Sequence, residues 1–390
     1  DQSSGIGLVH TRLSILDLSF AGHQPMYSCD SSSVLVFNGE IYNFRELRSE
    51  LISAGHVFRG ESDTEVLLNL YLEYCHSLNS TDNGYAQFLN RLNGIFSFAL
   101  WDSQREILLL ARDALGVKPL YYFNCLDGIF FSSEIKAFPN HPLTLDASSL
   151  NRYLTYLWCP GDGTPVKEVR KLGPGEFLTV SQGSIVQHTS WYRPTSFLSL
   201  GIQDQLPPDE YIRRTADYLR QAVHRQLVAD VPVGAFLSGG LDSSSVVAFA
   251  REINSDIRCF TIDLRGQATD GFSVDLPYAE KVSKHLNVPL DVVSVNAFDL
   301  VSGIEEMVWQ LDEPLADPAP LNVFHICQLA RKEGIKVLLS GAGGDDLFTG
   351  YRRHFAVNLE PLWSWLPRSC RIKMRNISRH LPSDHFFGRR

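Results

Sequence analysis

Apolar positions along this chain fall into two textures. In the second half, a continuous apolar run at 231–237 reads as a buried strand, and from 242 to 253 apolar residues recur at helical spacing behind a Ser/Asp start signal. The same alternation continues downstream as strand 258–264, helix 277–286, strand 290–295, helices within 297–310 and 321–332, and strand 336–339, with a leading helix over 211–228. Such alternation predicts a parallel sheet with helices on both faces, whose ligand sites lie at the carboxyl ends of the strands.

Residues 1–140 read differently. Apolar runs at 33–38, 94–101, 106–111, 120–123 and 128–132 are short and bounded by turn residues, the first ending on the turn pair Asn38-Gly39. Two helices interrupt them: 44–54, which stops at Gly55, and 63–75, with Asp63 at its start and Glu65 in its first turn. This half predicts an α+β layered domain. A helix over 151–158, Gly/Pro turns at 160–165 and 172–176, and a Ser/Pro/Gln-containing linker at 194–208 follow. The chain thus divides into 1–195 and 208–390.

Composition adds bounds. At 390 residues the chain can hold two cores, and its 44% hydrophobic and 20% charged residues are those of a soluble globular protein. The net charge of −9 argues against nucleic acid as the main partner. No apolar run approaches the roughly 18–20 residues of a membrane span, so a cytoplasmic location is expected. Seven scattered cysteines without a Cys-x-x-Cys pair predict free thiols in a reducing compartment and no zinc site. The sequons at 79–81 and 376–378 are then chance matches.

The chemistry concentrates in loops. Ser238-Gly239-Gly240-Leu241-Asp242-Ser243-Ser244 joins the strand at 231–237 to its helix. Two glycines allow a sharp turn and close ligand approach, and hydroxyls with free N–H groups at a helix N-terminus form an anion cradle. Asp242 would repel a bare phosphate, which implies an intervening cation. No Gly-x-x-x-x-Gly-Lys-Ser/Thr loop occurs. The run resembles the pyrophosphate loop of ATP pyrophosphatases. A second loop, Leu339-Ser340-Gly341-Ala342-Gly343-Gly344-Asp345-Asp346, precedes Gly350-Tyr351, and Leu311-Asp312-Glu313-Pro314 with Asp317 stands upstream. By itself Asp345-Asp346 also fits a helix N-cap. The paired loops resemble asparagine synthetases and their β-lactam synthetase relatives.

In the first half, the polar segments His10-Thr11-Arg12, Asn38-Gly39-Glu40, Glu61-Ser62-Asp63-Thr64-Glu65, the stretch from Arg112 to Tyr122 and Ser133-Glu134 occur in order. Singly, Arg12 fits a surface ion pair, Asn38-Gly39 a hairpin turn and Asp63 a helix cap. Together they resemble the glutaminase domain of class II (Ntn-type) glutamine amidotransferases of the asparagine synthetase branch. An Arg12 fork can grip the α-carboxylate of glutamine, Glu40 and Asp63 can take its ammonium, and the Asn38 amide with the Gly39 N–H can form an oxyanion hole.

The resemblance implies an αββα Ntn-hydrolase sandwich over 1–195 and a Rossmann-like ATP-pyrophosphatase domain over 208–390, each partial. The family nucleophile is an N-terminal cysteine followed by Gly-Ile. The chain opens on Asp1, and Cys29 is not a substitute, so the glutaminase domain is expected to be clipped, as is the C-terminal domain. ATP would bind through Leu237, Ser238, Gly239, Gly240, Asp242, Ser243, Ser244, Ile262, Ser340 and Gly341, with Mg2+ on Asp242 and Asp345.

The implied reaction is ATP-dependent transfer of glutamine-derived ammonia to aspartate through an acyl-adenylate, releasing AMP and pyrophosphate; a homodimer is compatible. The alternatives are an amidotransferase for another carboxylic acid and a non-catalytic nucleotide-binding scaffold. Ala342 favours a different acceptor, because asparagine synthetases carry a glutamate between the glycines there.

Overall fold

The computed structural model describes residues 5–77, 84–126, 128–138, 143–194, 206–264, 275–317 and 319–378. The body of the expected linker, 195–205, and the sequon at 79–81 lie outside the described residues.

The N-terminal unit is built from β1 (Met26–Tyr27), β2 (Ser33–Ile41), α1 (Phe44–Ser53), α2 (Asp63–Ser77), α3 (Gly84–Asn90), β3 (Gly94–Asp102), β4 (Ile107–Arg112), β5 (Tyr121–Cys125), β6 (Gly128–Ser132), α4 (Ala147–Tyr156), β7 (Val169–Lys171), β8 (Glu176–Ser181) and β9 (Ser184–Ser190). A six-stranded antiparallel sheet runs β1-β2-β3-β4-β8-β9, and β6-β5-β7 form a second, three-stranded sheet.

The continuous apolar runs of β2, β4 and β8 arise because the large sheet is covered on both faces, so alternate side chains enter different cores. Leu35, Phe37, Leu109 and Phe177 join α1, α2 and α3 in one cluster, whereas Val36, Leu108, Leu110 and Leu178 join Leu120 and Leu172 in another. The far side of the small sheet is closed by Ile135 and Phe138 on Tyr121, Phe123 and Val169. Helices, large sheet and small sheet therefore form three layers of the expected αββα sandwich.

Asn38-Gly39 is not a turn. β2 runs through it to Ile41, with Gly39 opposite Phe96 and Ile41 opposite Gly94. A Cβ at Gly39 would lie 2.6 Å from the Phe96 Cα and overlap the Ile95 carbonyl, so the glycine serves close strand approach rather than reversal.

The C-terminal unit comprises α5 (Pro208–Gln226), β10 (Val233–Phe236), α6 (Leu241–Arg251), β11 (Cys259–Leu264), α7 (Leu276–Leu286), β12 (Leu290–Val295), α8 (Ala297–Ser302), α9 (Ile304–Leu311), α10 (Ala319–Lys332), β13 (Val337–Leu339), α11 (Gly344–Phe348), α12 (Arg352–Asn358), α13 (Pro361–Ser364) and α14 (Arg368–Ser378). The helix expected within 297–310 breaks at Gly303; an Asn296/Asp299 capping box starts its first part. The sheet is parallel, in the order β12-β11-β10-β13. Strand order reverses between β10 and β13, and this switch point sets the loops after these two strands side by side.

Candidate active sites

The first site is a cavity of about 1490 Å³ in the N-terminal unit, lined by Arg12, Asn38, Gly39, Glu40 and Asp63 among others. These residues come from the irregular N-terminal segment, from the end of β2 and from the first turn of α2.

Asp63 is 4% exposed and accepts the Ile41 N–H at 2.9 Å, which ties α2 to β2. The Ser62 hydroxyl accepts the Glu65 N–H at 3.2 Å, so Ser62 rather than Asp63 provides the local cap, leaving Asp63 for the cavity. Burial pushes the Asp63 carboxyl up, and burial together with the Asp63 charge pushes Glu40 up, with Lys118 and Arg12 opposing. One carboxyl of this buried pair therefore holds a proton more readily than a solvated one would.

Arg12 donates from Nη2 to the carbonyls of Leu16 (2.7 Å) and Asp17 (2.8 Å), which fixes the guanidinium at the cavity wall. Asn38 donates from Nδ2 to the Ser133 hydroxyl at 3.2 Å. Among the described residues no cysteine lines the cavity, and Cys29 is exposed on the loop before β2.

Three cavity residues had no role in the sequence reading. His10 has a buried Nδ1 without a hydrogen-bond partner, and burial lowers its pKa. Lys118 and Ser133 also line the wall. All three stand beside recognised motif residues, but only the fold turns them inward. Arg112 and Asp113, by contrast, are structural. Arg112 donates to the carbonyls of Lys118, Leu172 and Gly116 at 2.6 to 2.7 Å. Asp113 accepts N–H groups from Leu115, Val117 and Lys118 at 2.9 to 3.1 Å.

The second site lies at the switch point. The Ser238 and Ser243 hydroxyls are 2.9 Å apart, and the Gly240 N–H donates to the Ser238 Oγ at 3.3 Å. Gly239 has φ +78°, and a Cβ there would lie 2.5 Å from the Ala279 nitrogen, so only glycine fits the turn against α7. Gly240 caps α6 without a side-chain hydrogen bond, and the Ser244 hydroxyl is buried with no partner. Free helix N–H groups and an orphaned buried hydroxyl are what an anion such as a phosphate would satisfy.

The second loop closes onto the first. A Cβ on Gly341 would lie 2.7 Å from the Ser243 nitrogen, and one on Gly344 would overlap the Asp242 carboxylate. Asp345 follows Gly344 directly and turns toward Gly350. Among the described residues no three His, Cys, Asp or Glu side chains gather as a metal site. The Asp242 and Asp345 oxygens would suit a hard cation only if a substrate supplied further oxygens. Leu237 is spent on the core, 1% exposed with its N–H on the Phe260 carbonyl at 2.9 Å, and Ile262 is part-buried on β11. Ser340 is exposed, and its hydroxyl accepts the Ala342 N–H at 3.1 Å.

Comparison with known proteins matches the chain in two stretches. Residues 2–192 match the family described as glutamine amidotransferase domain, and residues 214–389 the family described as asparagine synthase. Asparagine synthetase [glutamine-hydrolyzing] 1 of Bacillus subtilis is 32% identical over 348 residues, covering 89% of this chain and 52% of that protein. A putative asparagine synthetase [glutamine-hydrolyzing] of Mycobacterium tuberculosis is 34% identical over 396 residues, covering 97% and 57%. Amidase chyE of Penicillium rubens is 32% identical over 387 residues, covering 94% and 55%. The chain thus spans about half the length of the curated relatives it matches. Among solved structures, the glutamine phosphoribosylpyrophosphate amidotransferase of B. subtilis aligns over 69% of this chain and 55% of that one, at 19% identity and a TM-score of 0.35.

Proposed function

Because the chain belongs to the glutamine-hydrolysing asparagine synthetase family, we propose that it carries the glutamine and ATP sites of an ATP-dependent amidotransferase, in units bounded near 195–208. The observation that carries this reading is the gathering of Arg12, Asn38, Gly39, Glu40 and Asp63 on one cavity.

In the first site Arg12 takes the α-carboxylate of glutamine, and the Glu40–Asp63 pair takes its α-ammonium. The side-chain carbonyl then meets the Asn38 amide and the Gly39 N–H, donors that stabilise the oxyanion as the amide is attacked. Over the whole reaction one water is consumed, the amide C–N bond breaks, ammonia leaves and glutamate remains.

In the second site the α6 N-terminus, Gly239, Gly240 and the hydroxyls of Ser238, Ser243 and Ser244 hold the ATP phosphates. Ile262, Ser340 and Gly341 border the adenosine, whereas Leu237, 1% exposed, stays in the core and does not. Asp242 and Asp345 would hold Mg2+, which supplies charge neutralisation on the departing pyrophosphate when bound. A carboxylate attacks the α-phosphorus, pyrophosphate leaves, and ammonia then displaces AMP from the acyl-adenylate to form an amide.

Aspartate is the acceptor that the family relationship supports. A second acceptor class is favoured by Ala342, which offers no side-chain base where the attacking ammonia must lose a proton. General-base assistance is worth about 10²–10⁴-fold. Release of pyrophosphate by the full-length protein, measured against a panel of carboxylic acids, tests both readings. Absence of pyrophosphate release with every acid would leave only a nucleotide-binding scaffold.

A further inference from the structure

The motif Leu311-Asp312-Glu313-Pro314 has no part in either site as described, yet it reaches across to the N-terminal unit. Asp312 ends α9 with φ 59° and ψ −36°, a backbone conformation that a side-chain-bearing residue adopts only when its surroundings enforce it. Its surroundings here belong to the other unit. Oδ2 accepts the Ile135 N–H at 2.8 Å, and Oδ1 accepts from the Lys136 ammonium at 3.0 Å. The Asp312 side chain is only 8% exposed, so this charge-assisted contact is shielded from solvent. Lys136 is in turn held by Glu134 at 3.0 Å and lies 5.6 Å from the centre of the Trp309 ring.

The held segment matters because of what it carries. Two residues before Ile135 stands Ser133, whose hydroxyl accepts the Asn38 amide at 3.2 Å within the cavity. One hydrogen bond from Asp312 and two peptide units thus lead to the group that orients Asn38. Glu313 makes a separate contact, accepting from the Tyr121 hydroxyl at 2.7 Å and from Lys171 at 2.9 Å, both on the small sheet rather than on the 133–136 segment.

We propose that Asp312 is a positioning residue for glutamine hydrolysis: from the C-terminal unit its carboxylate holds the 133–136 segment, and Ser133 thereby aims the Asn38 amide at the oxyanion. This rests on the glutaminase reading above. Asn38 is a donor whose benefit exists only in the transition state, so its misdirection lowers kcat and leaves glutamine KM, set by Arg12, Glu40 and Asp63, nearly unchanged.

The test uses the full-length protein, with glutamate release from glutamine and pyrophosphate release on ammonium measured side by side. Asp312→Ala is expected to lower glutaminase kcat about ten-fold, with KM unchanged within about two-fold. Asp312→Asn keeps an acceptor for the Ile135 N–H and should restore most of the rate. Ser133→Ala, which leaves the contact between units intact, should lower kcat to a similar degree. In the Ser133→Ala background, Asp312→Ala should add less than about two-fold, because both act through one group.

Glu313→Gln should leave kcat within about two-fold of wild type. Additive losses, an unchanged kcat in Asp312→Ala, or an equal loss in Glu313→Gln would overturn the proposal. So would parallel loss of ammonium-dependent pyrophosphate release, which marks a merely structural role. A wild-type protein that hydrolyses no glutamine would instead overturn the glutaminase reading on which the proposal rests.

Discussion

Glu40, near the end of β2, and Asp63, at the start of α2, are two buried carboxyls of one cavity, and the charge of Asp63 adds to burial in raising the proton affinity of Glu40. A carboxyl whose folded pKa lies above its unfolded value binds more protons when folded. Its contribution to stability is full below the unfolded range near pH 4 and is lost as pH rises through the raised value. Glu40→Gln removes the charge at constant shape. It should therefore raise the thermal midpoint at pH 8, by the equivalent of about 1–3 kcal/mol, and change little at pH 4. Equal melting of wild type and variant at pH 8 would show that the pair carries no electrostatic strain.

The same pair predicts linkage to ligand. An ammonium placed between the carboxyls favours their ionised forms, so glutamine binding near neutral pH should release protons. Calorimetry in two buffers of different ionisation enthalpy measures this directly. Affinity should fall as pH drops below 6. Arg12→Ala should weaken glutamine binding about ten-fold or more by removing a bidentate carboxylate partner, while ammonium-dependent synthesis survives. Binding without proton release, or loss of both activities in Arg12→Ala, would contradict the assignment.

Ser244 offers a test in which stability and function move apart. Its hydroxyl is buried without a partner, and an unsatisfied buried group costs about 1–3 kcal/mol. Ser244→Ala should therefore leave the free protein as stable as wild type or more so. If phosphate is the missing partner, the same change should weaken ATP binding, read as a higher nucleotide concentration for half-maximal pyrophosphate release. A destabilised variant with unaltered ATP response would remove the phosphate role.

Gly344 and Asp242 provide the complementary test at the junction of the two loops. Gly344→Ala places a methyl group where the Asp242 carboxylate now lies. Pyrophosphate release should fall at least ten-fold in this variant and to background in Asp242→Asn, since cation-assisted charge neutralisation is worth several kcal/mol. Glutamate release in the full-length protein should persist in both, because that cavity lies in the other unit. An intact pyrophosphate rate in Asp242→Asn would deny it a metal role.

Ala342→Glu restores a carboxylate to the position where asparagine synthetases have one. If aspartate is a poor acceptor only for want of that base, asparagine output should rise by up to about 10²-fold. Efficient asparagine formation by the wild-type protein would instead show that another group, or water, removes the proton.

Local pattern and topology contributed different parts of this picture. Periodicity alone placed the strand before Ser238, the helix after Gly240 and the βα alternation beyond them, because each depends on spacing within ten or so residues. The resemblance of the polar segments to glutamine amidotransferases, rather than any spacing, marked Arg12, Asn38-Gly39-Glu40 and Asp63 as a set. The local pattern misread Asn38-Gly39 as a turn, since the pair is a turn signal until Phe96 and Gly94 are known to lie opposite. Strands β7 and β8 escaped because their partners β5 and β4 are distant in the chain, and β9, joined to β8 by a tight turn, because it is short and mostly polar.

Only the tertiary structure decided which groups meet. Gly341 and Gly344 stand about a hundred residues from Asp242, and nothing in either loop encodes the strand order that seats β13 beside β10. The raised proton affinities of Glu40 and Asp63 come from desolvation by side chains of other elements, and the reach of Asp312 to Ile135 from the packing of one unit on the other. The sequence by itself determined the local elements and the residue types available for chemistry. Their burial, their neighbours and hence their charge states are properties of non-local contacts, which exist only once the chain has folded.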